Sequence, residues 1–177
     1  MLTRLQTLSI REATTADANA IAHVEIQTWQ TAYQGFLSKQ QIDHFNLSDE
    51  TALLFQLLQD TQSVCHVAEL NHSMIGFSLS SPCHDFDKTQ NQTGEIKAMY
   101  VLPDYWFQGY GSTLIYTALS SLRKRGFREV VLWTLKNNEG AQQFYQKHRF
   151  LADGMSKLHA QHAMPAIRLS RVLLTNH

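Results

Sequence analysis

The sequence predicts an α/β layered domain in which helices alternate with a mixed sheet, and three observations carry that prediction. Two β-rich runs flank a polar turn at Asn71-His72-Ser73, two further β-rich runs each lead into a helical pattern, and the chain closes on two more strands. At 177 residues the length suits one domain with a substantial core, and no shift in composition marks a boundary within residues 1–177.

Leu8 to Ala13 reads as a short strand. Thr14, Thr15 and Asp17 supply cap-forming oxygens for a helix on which Ala18, Ile21, Ala22, Ile26 and Trp29 recur at helical spacing, and Gly35 ends or bends it. A second helical region covers roughly Ser38 to Phe45, and Ser48-Asp-Glu-Thr51 opens a third with a stripe of Leu53, Leu54, Leu57 and Leu58. Val64 to Leu70 and Met74 to Leu79 form an antiparallel hairpin, and the polar stretch from Ser81 to Thr93 is a loop.

The apolar run Glu95 to Leu102 reads as a strand broken by Pro103, and a helix follows from about Gly109 to Arg125. Glu129 to Leu135 is the next strand and Asn138 to His148 the next helix. Closing strands lie near Phe150 and from Ile167 to Leu173.

Composition narrows the partners. Acidic and basic side chains balance at 15 each, so no general field attracts nucleic acid. The short basic run Arg123-Lys124-Arg125 reads as a helix C-terminus stopped by Gly126. No apolar stretch approaches the ~20 residues of a membrane span and the first residues lack a signal-peptide core, so a soluble, cytoplasmic protein is expected. Cys65 and Cys83 form no metal or redox motif, and of nine histidines the nearest pairs, His159 with His162 and His66 with His72, have no third ligand at zinc spacing; no metal is expected.

The chemistry concentrates between Glu95 and Phe150. A strand ends at Pro103, and Trp106-Phe107-Gln108-Gly109-Tyr110-Gly111-Ser112 leads into a helix. Backbone N–H groups at a helix start lack intrahelical acceptors and sit at the positive end of the macrodipole, so a glycine turn there suits a pyrophosphate. A dinucleotide fingerprint needs a third glycine where Leu114 stands, and a P-loop needs a lysine that does not follow Gly111. Taken alone, the pair of glycines also fits a plain tight connection.

Downstream blocks extend the pattern: Val101-Leu-Pro103, the glycine turn, then Asn138 with Ala141 and Phe144-Tyr145, then Phe150 opening a strand. Upstream stand Ile10-Arg11-Glu-Ala13 with Asp17, and Thr28-Trp29-Gln-Thr-Ala-Tyr33-Gln-Gly35. This arrangement, over nearly the whole chain, resembles the GNAT superfamily of acyl-CoA-dependent N-acyltransferases, and the Trp-x-x-x-Tyr-x-Gly segment resembles a variant found in one subset. The family turn is usually Gln/Arg-x-x-Gly-x-Gly/Ala; here Trp106 takes the first position, Phe107 stands where glycine is common, and Arg149 replaces the glycine that usually precedes the phenylalanine.

The resemblance implies a mixed, largely antiparallel sheet whose fourth and fifth strands, Ile96 to Leu102 and Val130 to Leu135, splay apart to admit the pantetheine arm of acetyl-CoA. Backbone groups of Met99, Tyr100 and Val101 then pair with the cosubstrate, and Phe107, Gln108, Gly109, Tyr110, Gly111, Ser112, Asn138, Ala141, Phe144 and Tyr145 line its site. Tyr145 matches the family's general acid, since a phenol of pKa near ~10 is protonated at neutral pH; packing beside Phe144 is the alternative. Glu95, at the opening of the strand, matches a carboxylate proposed to deprotonate the amine, or is a solvated strand end. The N–H of Met99 or Tyr100 would serve as oxyanion donor. Asn138 meets the pantetheine, caps the helix, or does both. Trp29, Tyr33 and Phe36 wall the acceptor pocket or belong to the core.

The function implied is acetyl transfer from acetyl-CoA to a primary amine, by direct attack in a ternary complex, because no cysteine occupies a nucleophile position. A small-molecule amine is the expected acceptor; a protein N-terminus or lysine, or a non-catalytic acyl-CoA sensor, are the alternatives. A monomer or homodimer is expected.

Overall fold

In the computed structural model β1 (Leu8–Glu12), β2 (Val64–Leu70), β3 (Ser73–Pro82), β4 (Thr93–Val101), β5 (Glu129–Leu135), β6 (Leu151–Leu158) and β7 (Pro165–Val172) follow the sheet order β1-β2-β3-β4-β5-β7-β6. The structure describes residues 7–35, 46–159 and 164–173, so the helical region predicted from Ser38 to Phe45, Phe36 and His162 lie outside the described residues. Four α-helices are described: α1 (Ala18–Ala32), α2 (Leu47–Leu57), α3 (Tyr110–Lys124) and α4 (Glu139–Lys147). Among the described residues, no helix is long and apolar enough to cross a membrane. The chain divides into two compact units, Met1–Leu79 with Ala98–Thr117 and Ser80–Lys97 with Ala118–His177.

In the first unit β1 runs antiparallel to β2, with Leu8 opposite Leu70. Asn71 (φ 51°) and His72 (φ 68°) make the two-residue turn to β3, whose paired positive φ values match the right-handed twist of the strands, so Ser73 is strand and not turn. The Arg11 guanidinium forks onto Asp17 at 2.9 and 2.8 Å and reaches Glu69 at 2.7 Å, tying the start of α1 to the sheet. That fork holds the Asp17 carboxyl down at about 2.

α1 buries Ala18, Ile21, Ala22 and Val24 against Cys65, Val67, Phe77 and Leu79, and stops at Ala32, with Tyr33 as its cap, short of Gly35. α2 begins one residue earlier than predicted because Asn46 accepts from the Ser48 N–H at 2.8 Å. Its leucine stripe is narrower than the sequence suggested: Leu54 is buried, Leu57 and Leu58 are half-buried, and Leu53 faces solvent. Burial, together with Glu50 across the α1–α2 contact, pushes the Glu25 carboxyl up to about 8. A second cluster, Ala68, Leu70, Ile75 and Val101, packs against Leu114 of α3.

In the second unit β4 is parallel to β5 over Thr93–Ile96 and Glu129–Leu132, and β5 is antiparallel to β7. The β4 pairing ends at Leu132 although β5 runs on to Leu135, so Trp133, Thr134 and Leu135 pair on the β7 side alone. β6 pairs with β7 across a bulge between Ala152 and Ser156. Leu122, Phe127, Val130, Leu132, Phe150 and Leu169 are buried here.

Two helices of this unit end in the same way. After α3 the Gly126 N–H bonds Arg123 O (2.9 Å) and the Phe127 N–H bonds Leu122 O (3.2 Å), with Gly126 at φ 93°; after α4 the Arg149 N–H bonds Gln146 O (2.9 Å) and the Phe150 N–H bonds Tyr145 O (3.0 Å), with Arg149 at φ 63°. Both are Schellman caps, and only the second places a side chain on the left-handed residue. Because Arg149 bears a strain that glycine does not, Arg149→Gly is expected to raise stability by about 1 kcal/mol. The check is a higher urea midpoint at unchanged slope.

Candidate active site

The glycine turn is assembled wholly within the first unit. Pro103 opens a 3-10 turn, Pro103–Tyr105, and the Trp106 N–H closes it on Pro103 O at 3.1 Å. The Trp106 indole then donates to Val101 O at 2.6 Å, fastening the turn to the end of β4. Gln108 adds a second tie, from its amide to Asp104 O at 2.8 Å.

Phe107 sits at φ 61° and Gly109 at φ 89°, so the chain folds back between them. Among the described residues, the backbone N–H groups of Phe107, Gln108, Gly109 and Gly111 have no acceptor, and α3 starts at Tyr110. Successive unpartnered N–H groups at a helix start suit an anion. A Cβ at Gly109 would meet no atom within 4 Å, so this glycine is required by its dihedral and not by crowding.

On the same unit Trp29, 5% exposed, donates its indole N–H to the Tyr100 hydroxyl at 2.9 Å and packs on Tyr33, 7% exposed, at 4.2 Å between ring centroids. Tyr100 also packs on Phe77 at 5.6 Å. Thr28 turns its hydroxyl to Val24 O at 2.7 Å and toward Val101 O at 3.4 Å. Val101 O therefore accepts from the Trp106 indole, with the Thr28 hydroxyl, whose proton goes to Val24 O, close by.

In the second unit Asn138 caps α4, its Oδ1 accepting from the Ala141 N–H at 3.1 Å. Tyr145 follows two turns later, buried, with its ring edge-on to Phe144 (5.3 Å) and Phe150 (5.8 Å). The Schellman cap fixes its backbone, and the contact with Phe150 is the apolar pairing that accompanies such caps. His148 is buried beside it, with Nδ1 2.8 Å from Phe144 O.

Glu95 is not the open end of its strand. Thr93 and Gly94 precede it in β4, pairing with Glu129 and Val130, and Glu95 stands half-buried opposite Val131. Burial pushes its carboxyl above the usual carboxylate range, Lys97 and Lys157 pull it down, and Asp85 adds to the rise. A carboxylate so raised is a better proton acceptor near neutral pH than a free one.

Residues 24–150 match the acetyltransferase (GNAT) family. The chain belongs to that family. An uncharacterized N-acetyltransferase of Methanocaldococcus jannaschii is 34% identical over 85 residues, which span 48% of this chain and 37% of that protein. An uncharacterized N-acetyltransferase of Bacillus subtilis is 25% identical over 147 residues, spanning 80% of this chain and 79% of the other. Among solved structures, PaiA N-acetyltransferase from Thermoplasma acidophilum in complex with coenzyme A superposes with a TM-score of 0.76 at 18% identity, covering 94% of this chain and 99% of that one.

In this GNAT protein two positions where the sequence departs from the family's usual glycine, Phe107 and Arg149, keep a left-handed backbone, at φ 61° and 63°. The departures change the side chain and leave the turn intact. Trp29 and Tyr33 lie in the interior of their unit, not on an exposed wall, and Tyr100 joins them through its side chain.

Sequence reasoning missed two contributors in this GNAT chain. One is the Trp106 indole. The other is Arg168, 2% exposed, which bonds Asp153 at 2.7 Å, Asp85 at 2.9 Å and Asp87 through both of its terminal nitrogens. Trp133 also donates to Asp85 at 3.1 Å, so the loop 83–92 is pinned to β5 and β7 beside Glu95. The one signal was a charge inside the strand-like run Ala166-Ile-Arg168-Leu, which marks an inward, paired cation.

Proposed function

We propose that this GNAT protein transfers the acetyl group of acetyl-CoA to the primary amine of a small molecule by direct attack within a ternary complex. The observation that carries the reading is that, among the described residues, the N–H groups of Phe107, Gln108, Gly109 and Gly111 at the start of α3 have no acceptor, a donor set suited to the pyrophosphate of a coenzyme A thioester. Acetyl-CoA supplies the activated acetyl group. Gln108, Gly109, Tyr110, Gly111 and Ser112 hold its phosphates, and backbone groups of Met99 and Tyr100 with the Val101 N–H orient its arm, Val101 O being engaged by the Trp106 indole.

Glu95 takes the proton from the ammonium so that the amine can attack, directly or through water. The N–H of Met99 or Tyr100 stabilises the charge developing on the thioester oxygen, Tyr145 gives its phenolic proton to the departing thiolate, and the proton shed by the acylated nitrogen restores the phenol. Asn138, Ala141 and Phe144 position Tyr145 and border the arm. Direct attack is supported by both cysteines: burial pushes the Cys65 thiol up to about 12 and the Cys83 thiol up to about 11, so neither ionises near neutral pH to accept an acetyl group.

Tyr100, half-buried, is backed from the interior by Trp29 and Phe77, and a rigid aromatic face so held supports a compact acceptor. Thiol release from acetyl-CoA is expected with members of a panel of small primary amines and not with peptides presenting a free N-terminus or lysine. Turnover with the peptides alone would move the acceptor to protein.

A further inference from the structure

Phe107 carries two costs that nothing among the described residues offsets. It is fully exposed to solvent, and it holds a left-handed backbone that a β-carbon disfavours. Exposed aromatics by themselves are ordinary; Phe86 is also exposed, at 90%, but has no positive φ. At Phe107 glycine would remove both the strain and the apolar exposure, so the ring itself is what the position keeps.

Its surroundings limit what the ring can meet. The Trp106 indole clamps the preceding residue to Val101 O at 2.6 Å, and the Gln108 amide clamps the following one to Asp104 O at 2.8 Å. The anchored neighbours set where the left-handed residue between them carries its side chain on the turn, next in sequence to Gln108 and Gly109, whose N–H groups, like that of Gly111, have no acceptor among the described residues. A ligand that uses both features carries an anionic group and a flat ring a short spacer away, as a nucleotide does with its phosphates, ribose and base.

Given the acetyl-CoA reading above, on which this rests, the geometry points to Phe107 as the platform on which the adenine ring of the donor stacks. The phosphates sit on the turn amides, and the base folds back onto the ring that the turn holds out. Substitution at Phe107 then separates the two halves of the donor. Phe107→Ala weakens binding of coenzyme A about tenfold, at the lower end of what loss of one base–aromatic stack costs, and leaves binding of 4′-phosphopantetheine, which has no adenosine, unchanged. Phe107→Tyr retains the affinity, because it retains the ring face.

The experiment is isothermal titration of the purified full chain and these variants with coenzyme A and with 4′-phosphopantetheine, joined to proton NMR of bound coenzyme A. The adenine H2 and H8 resonances are expected to move upfield on binding the unsubstituted protein and not on binding Phe107→Ala. Equal affinity of Phe107→Ala and the unsubstituted protein for coenzyme A, with the same adenine shifts, overturns the stacking role alone. Absence of coenzyme A binding to the unsubstituted protein overturns the donor reading and this inference with it.

Discussion

Tyr145→Phe is expected to lower kcat by roughly a hundredfold or more, the range supplied by a positioned general acid, while the KM for acetyl-CoA changes little. The substitution keeps the ring that packs edge-on to Phe144 and Phe150, and the cap that fixes the backbone of residue 145 uses main-chain atoms only. Ring packing is therefore preserved and the phenolic hydroxyl alone is removed. The net stability cost of one lost hydroxyl interaction is about 1 kcal/mol, so the variant remains folded at assay temperature. Steady-state thiol release with the accepted amine, read beside the melting temperature, separates the two roles. A kcat within about twofold of the unsubstituted enzyme would assign Tyr145 to packing.

Glu95→Gln is expected to cost about a hundredfold in kcat/KM at neutral pH and to remove a limb of the pH profile. The base acts ionised, so activity falls as pH drops through its pKa. Burial raises that pKa, which places the acid limb above the ordinary carboxylate range of about 4.3. Stability moves the opposite way. A group whose folded pKa is raised lends stability below its unfolded pKa and loses it as pH rises through the folded value, so Glu95 burdens the fold near neutral pH. Glu95→Gln, lacking a charge to bury, should melt higher at neutral pH while it works worse. A pH–rate profile in which the acid limb survives in Glu95→Gln would assign the titration to another group.

Much of this architecture is legible in the chain because its signals are local. Pro103 breaks an apolar run, glycines mark the turn, and Asn138 announces α4 by offering its side chain to an N–H three residues on. Glu95 was harder to place: Thr93 and Gly94 have little strand character, and only their pairing with Glu129 and Val130 carries β4 past them. Arg168 meets acids 81 and 83 residues away, a separation at which no local pattern reports. At Phe107 and Arg149 the sequence reveals that glycine is gone but not that the left-handed backbone persists, because the anchors that impose it are a tryptophan indole in one case and a helix cap in the other. The leucine stripe of α2 is narrower than its spacing implies, since spacing locates a face and not how much of it is covered.

The turn from Trp106 to Ser112 is expected to bind the donor of an acetyl transfer. A thermal-shift comparison of the purified protein with acetyl-CoA, coenzyme A, ATP and NADH tests it most directly, because a ligand at about 100 times its dissociation constant adds ~2.7 kcal/mol to stability. Raised melting with acetyl-CoA and coenzyme A, and none with ATP or NADH, is the predicted result. A folded protein whose melting temperature responds to none of the four, or to NADH or ATP instead, would contradict it.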